Sequence, residues 1–128
     1  MGWRMKHRED MEQCALTQWA RITRHNGGMI ADWLIAIPNG GKRNASEAAR
    51  MKKQGVKAGV SDLFLALPSK QFHGLWIEMK APKTNASPAG KPTQVQLDWL
   101  DRMAAAGYAA QLCFGWQAAK DAITEYLQ

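Results

Sequence analysis

From Gly59 to Lys83 the chain reads GVSDLFLALPSKQFHGLWIEMKAPK, two apolar runs joined by the polar turn PSKQFHG. Side chains alternate along a strand, so Leu63, Leu65 and Leu67 share one face while Asp62, Phe64 and Ala66 share the other. In the second run Leu75, Ile77 and Met79 oppose Trp76, Glu78 and Lys80. A β-hairpin is the expectation. Ionisable groups in a core hairpin are costly unless paired or put to use, so Asp62, Glu78 and Lys80 demand an explanation.

Register decides what these three residues can do together. If Leu67 faces Leu75 in an antiparallel pair, Phe64 faces Glu78 and Asp62 faces Lys80. A two-residue slip sets Asp62 opposite Glu78 instead. Either way the three gather on one face at the open end of the hairpin, whereas a one-residue slip separates them. Neighbouring strands lie about 4.8 Å apart, close enough for two carboxylates to share one cation.

Around the hairpin the periodicity predicts a helix through HREDMEQCALTQWARI, with Glu12, Ala15, Leu16, Trp19 and Ile22 on one face, broken at HNGG. MIADWLIAI reads as a strand stopped by PNGG. SEAARMKKQG reads as a short helix with Ser46 as N-cap and Gly55 as its stop. APKTNASPAGKP, rich in Pro, Gly, Asn and Ser, reads as a flexible surface loop. TQVQLDWLDRMAAAG is a helix with Thr93 and Gln96 spaced as a capping box and Gly107 at its end. YAAQLCF is a strand and WQAAKDAITEYL a closing helix. The order α-β-α-β-β-α-β-α describes one α/β domain over residues 1–128, a small mixed central sheet flanked by helices.

Seventeen basic against eleven acidic side chains leave +6, which favours a polyanionic partner. The basic cluster Arg50, Lys52, Lys53 and Lys57 is a candidate track for a DNA backbone, its plainer reading being a solvated helix face. Cys14 and Cys113 lie far apart inside apolar runs and read as reduced core residues, and His7, His25 and His73 make no ligand spacing with them. No apolar run approaches the length of a membrane helix, and MGWRMKHRED has no apolar signal core. An intracellular, cytoplasmic protein is expected, with no membrane and no small-molecule cofactor.

Two acids and a lysine on adjacent strands form a recognisable chemical set. Carboxylates suit a hard Mg²⁺, which takes one or two of them plus waters and phosphate oxygens. Such an ion lowers the pKa of a bound water and neutralises charge on a scissile phosphate, and an ammonium beside it can steer that water or stabilise the transition state. The plainer reading is a solvated edge pair, Glu78 with Lys80, and a strand-start acid at Asp62; in a structural protein the three would be a salt-bridge cluster.

Taken in order, IPNGGKR, AARMKKQGVKAGVSDLFLALP, HGLWIEMKAP and PTQVQLDWLDRMAAAGYAAQLCFGWQAA resemble the VRR-NUC family, the virus-type replication–repair nucleases of the PD-(D/E)xK superfamily. The resemblance runs from Glu12 to the last helix. It implies a restriction-endonuclease-like core and a DNA phosphodiesterase using Mg²⁺ or Mn²⁺, encoded by a bacterium or phage and tied to DNA repair. Small stand-alone members look like Holliday-junction resolvases and pair as homodimers, so a structure-selective endonuclease acting on branched or duplex DNA is implied.

Residue by residue, Asp62 matches the aspartate of the PD motif, and Glu78 and Lys80 match the acid and lysine of ExK. Ser61 stands where the family pattern has proline. Glu12 matches the upstream helical glutamate, and Met79 would offer a metal its backbone carbonyl. Gln96 matches the glutamine of the helix after ExK, which makes it a catalytic candidate; the capping box explains it equally well, and both roles can coexist. Asn39, Lys42 and Arg43 sit in a Gly-rich loop that can hold a DNA phosphate or be a plain turn, and the resemblance favours function for Asn39 and Arg43. The alternative function is a nuclease fold that binds DNA without cutting it.

Overall fold

A computed structural model describes residues 2–38 and 44–128. Helix α1 (Gly2–Ile22) is followed by a small hairpin of β1 (Arg24–His25) and β2 (Gly28–Met29). Asn26 and Gly27 both have positive φ, 45° and 81°, the conformation of a two-residue primed turn. HNGG therefore reverses the chain as well as ending the helix.

The run Met29–Ile37 is shorter as a strand than its composition predicts. Ile30–Asp32 form a 3-10 turn and only β3 (Leu34–Ala36) joins the sheet. The cause is local: Asp32 Oδ2 accepts from the Met29 amide at 2.8 Å and the Trp33 amide donates to Ile30 O at 3.0 Å. These bonds compete with a ladder. Helix α2 (Ala45–Lys53) is capped by Asn44, not Ser46. Asn44 Oδ1 accepts from the Glu47 amide at 2.8 Å, while the Ser46 hydroxyl donates to Asn44 Oδ1.

The rest follows the expected order: β4 (Leu63–Leu65), β5 (Leu75–Lys80), α3 (Gln94–Ala105), β6 (Ala109–Phe114) and α4 (Trp116–Leu127). The sheet order is β3-β4-β5-β6, antiparallel except for the parallel pair β5–β6. One face carries Leu63, Leu65, Leu75, Ile77 and Met79 against Leu16 and Ala20 of α1 and Ala119, Ala122 and Ile123 of α4. This is the core. The other face carries Phe64 and Trp76, whose rings stack 4.4 Å apart, and Trp99 of α3 meets Trp76 edge-on at 5.3 Å. The sheet is thus covered on both sides.

Three expectations change here. Cys14 is exposed on α1, and only Cys113 is a core thiol, its pKa pushed up to about 11 by burial. Ile22 falls off the buried stripe and is 79% exposed at the end of α1, because the chain turns away into the hairpin. The 81–92 segment lies at the surface but is held at its base, with Ala81 and Gly90 buried and the Gly90 amide donating to Ala81 O at 2.9 Å.

Candidate active site

Leu63 pairs with Ile77, Phe64 with Trp76 and Leu65 with Leu75. Extended one residue, this register sets Asp62 opposite Glu78. Of the two registers that gather the acids, it is the one that juxtaposes the carboxylates. The approach to β4 is tightly set. At Gly59, φ +86°, a Cβ would come 2.6 Å from the Val95 carbonyl, so this strand enters against the first turn of α3. Asp62 Oδ2 then accepts a hydrogen bond from the Met79 amide at 2.7 Å, which fixes the carboxylate beside Glu78.

Glu78 is 1% exposed and its Oε1 has no hydrogen-bond partner. A carboxylate oxygen bare in the interior is expensive unless the group is protonated or meets a cation. Lys80 Nζ lies 3.8 Å from Glu78 Oε2 and 3.8 Å from Glu9 Oε2. Glu9 enters from α1, whose first half runs past the end of β5. Two acids thus flank one buried ammonium, and Asp62 lies beside the first of them. Burial, and then the Asp62 carboxylate, push the Glu78 carboxyl up to about 9. Burial likewise raises Glu9, while the Lys80 ammonium opposes the rise.

Such a pocket holds a proton or a cation. Among the described residues no three His, Cys, Asp or Glu side chains form a metal cage. The donor set instead fits a hard ion that keeps most of its waters: Asp62 and Glu78 supply carboxylate oxygens, one of them buried and unpartnered.

The remaining candidates divide. Glu12 caps a helix instead of facing the acids: its Oε1 accepts from the Trp116 amide at 2.8 Å, at the start of α4. Glu9, three residues earlier on the same helical stripe, is the acid at Lys80. That spacing was the available signal, since either glutamate could be aimed at the sheet end. Gln96 Oε1 accepts from the Thr93 amide at 2.8 Å, completing the capping box. Met79 gives its amide to Asp62 and packs its side chain in the core. Arg50, Lys52 and Lys53 are exposed on α2, which buries none of its residues, and Lys57 is exposed just beyond. Asn39, Lys42 and Arg43 lie outside the described residues.

A model of the VRR-NUC domain matches residues 4–117, a span that contains Glu9, Asp62, Glu78 and Lys80. The chain belongs to the VRR-NUC family. Among solved structures, a VRR_NUC domain protein is similar at 28% identity and a TM-score of 0.79, over 92% of this chain and 86% of that one. A search of curated proteins finds no match. This VRR-NUC domain therefore has a nuclease-type fold, whose mixed four-stranded sheet flanked by helices is consistent with a restriction-endonuclease-like core. DNA is the substrate such a domain suggests. Among the described residues no helix is long and apolar enough to cross a membrane.

Proposed function

We propose that this VRR-NUC domain is a metal-dependent DNA endonuclease. The observation that carries the reading is the buried, unpartnered Glu78 Oε1 beside Asp62, with the Lys80 ammonium 3.8 Å from the second oxygen of the same carboxylate. Asp62 and Glu78 would hold Mg²⁺ or Mn²⁺. When bound, the ion supplies a water of lowered pKa and offsets charge on the scissile phosphate.

The chain's own groups do the rest. Asp62, pinned by the Met79 amide, presents its carboxylate without reorganisation. Lys80, held between Glu78 and Glu9, orients the attacking water and meets charge developing on the phosphate. Glu9 keeps that ammonium in place and takes the part sequence resemblance gave to Glu12. Gln96 serves as a helix cap. Arg50, Lys52, Lys53 and Lys57, together with Asn39, Lys42 and Arg43, contact the DNA backbone. A domain of this size reads shape in preference to base sequence, so branched DNA such as a four-way junction is the favoured substrate. A homodimer would carry two sites able to nick opposite strands of a symmetric junction.

The test is cleavage of labelled four-way junction, flap and linear duplex DNA in Mg²⁺, Mn²⁺ or EDTA, with Glu78→Ala and Lys80→Ala beside the wild-type protein. Metal-dependent cutting by the wild type, lost in both variants while they remain folded, is expected. Binding without cutting on every substrate would instead make the protein a DNA-binding module with a nuclease fold.

A further inference from the structure

The segment from Ala81 to Pro92 follows Lys80 directly and returns so that Gly90 lies against the site. A Cβ at Gly90 would sit 3.1 Å from Glu9 Oε2 and 3.4 Å from Lys80 Cδ. Gly90 therefore forms a wall against the two side chains that make the Lys80–Glu9 ion pair. Its φ lies outside the left-handed region, so the small residue is favoured by this close approach and not by backbone conformation.

This wall has little of its own to hold it. The segment contains Pro82, Pro88 and Pro92, forms no helix or strand, and has a local turn in which Thr84 and Ser87 bond each other. One backbone bond, Gly90 to Ala81, closes its base. Among the described residues a further tie comes from α1. Arg8 Nη2 donates to Pro82 O, and Arg8 Nη1 donates to Pro88 O at 3.1 Å. A planar guanidinium can bridge two carbonyls in this way, which an ammonium does less well. Arg8 immediately precedes Glu9, so the residue that ties down the wall adjoins the acid that the wall touches.

We propose that Arg8 is a positioning residue: by clasping the Pro82 and Pro88 carbonyls it holds Gly90 against Glu9 and Lys80, and so fixes the Lys80 ammonium for the reaction. The kinetic part of this rests on the nuclease reading above; the clasp itself does not.

Two readouts separate these parts. The first is the rate at which Lys80, 6% exposed, is acylated by an amine-reactive ester, followed by peptide mass spectrometry, with labelling of buried Cys113 reporting global unfolding. In Arg8→Ala, Lys80 acylation should rise at least tenfold while Cys113 stays protected, and Arg8→Lys should fall between that variant and the wild type. The second is kinetic, under saturating Mg²⁺. Arg8→Ala should lose ten- to a hundredfold in kcat with KM for DNA within about twofold, and Gly90→Ala, with Arg8 intact, should lose kcat similarly.

Lys80 remaining protected in Arg8→Ala would overturn the proposal whatever the kinetics. So would wild-type kcat in a variant whose Lys80 had become accessible. Should the wild-type protein cut no DNA, the nuclease reading and the kinetic role fall together, and Lys80 protection alone decides whether Arg8 is the clasp.

Discussion

The Asp62 carboxylate is bonded to the backbone of its neighbour strand, at the Met79 amide 2.7 Å away, and among the described residues it pairs with no cationic side chain. One short contact places the first acid beside the second, because Met79 follows Glu78 directly. Among the described residues Asp62 makes no ion pair, which suits a site meant for a cation. Asp62→Asn retains an oxygen for the Met79 amide, so stability should change by about 1 kcal/mol or less. Divalent-cation binding, followed by calorimetry, should weaken at least tenfold. Unchanged Mg²⁺ affinity would remove Asp62 from the ligand set.

Glu78 gives a pH dependence of definite sign. Its carboxyl keeps a proton in the folded chain up to about pH 9, whereas the unfolded chain releases it near 4.5. Between those values the native state binds more protons, so without metal the stability from this group is complete below pH 4.5 and is lost as pH rises towards 9. Glu78→Gln carries no such proton. In EDTA its Tm should exceed the wild-type value by a margin that widens from pH 5 to pH 9. Each kcal/mol is worth roughly 3–5 °C in a domain of this size. At pH 9, Mg²⁺ should raise the Tm of the wild type but not of Glu78→Gln. A margin that stays constant with pH would contradict the assignment.

Glu9 and Glu12 should part company. Glu12→Ala removes the acceptor that caps Trp116 and should cost about 0.5–2 kcal/mol of stability, read by urea denaturation, with kcat reduced less than threefold. Glu9→Gln should leave the midpoint nearly unchanged and lower kcat by about 10²-fold, the scale on which one electrostatic partner matters. The opposite pattern would return the catalytic part to Glu12.

The exposed cations of α2 should act through phosphates alone. Replacing Arg50, Lys52 and Lys53 together with Gln should reduce the slope of log K against log salt by about 0.9 per lost contact, close to 3 in all. The effect should be uniform across DNA sequences, with kcat at saturating DNA preserved. An unchanged slope, measured by fluorescence anisotropy in EDTA, would place the DNA on another face.

Much of the site was legible because strand alternation is strict. Asp62, Glu78 and Lys80 had to share a face in either even register, and the structure selects the register in which Leu63 meets Ile77. The helix ends were legible wherever the chemistry was unambiguous, as at Thr93 and Gln96. Elsewhere local competition decided. Two polar residues stood near the start of α2, and Asn44 took the cap because its side chain reaches the Glu47 amide. The strand expected over Met29–Ile37 lost its first half to the Asp32 side chain. Glu9 was missed for a different reason: a helical stripe gives the face a side chain occupies, but not which turn of the helix passes the end of β5. Composition also hid the anchoring of the Pro- and Gly-rich segment, since a clasp by Arg8 across more than seventy residues leaves no local pattern.

The bond from Glu12 to Trp116 spans 104 residues and joins the first helix to the beginning of the last. Glu9 is carried on that same first helix, so it reaches Lys80 from an element anchored by the helix of this domain that is synthesised last. The hairpin bearing Asp62 and Glu78 is local in sequence, whereas the ion pair between Lys80 and Glu9 joins distant parts of the chain. The two acids thus come from one short hairpin, while the geometry around Lys80 depends on contacts that only the complete tertiary fold supplies.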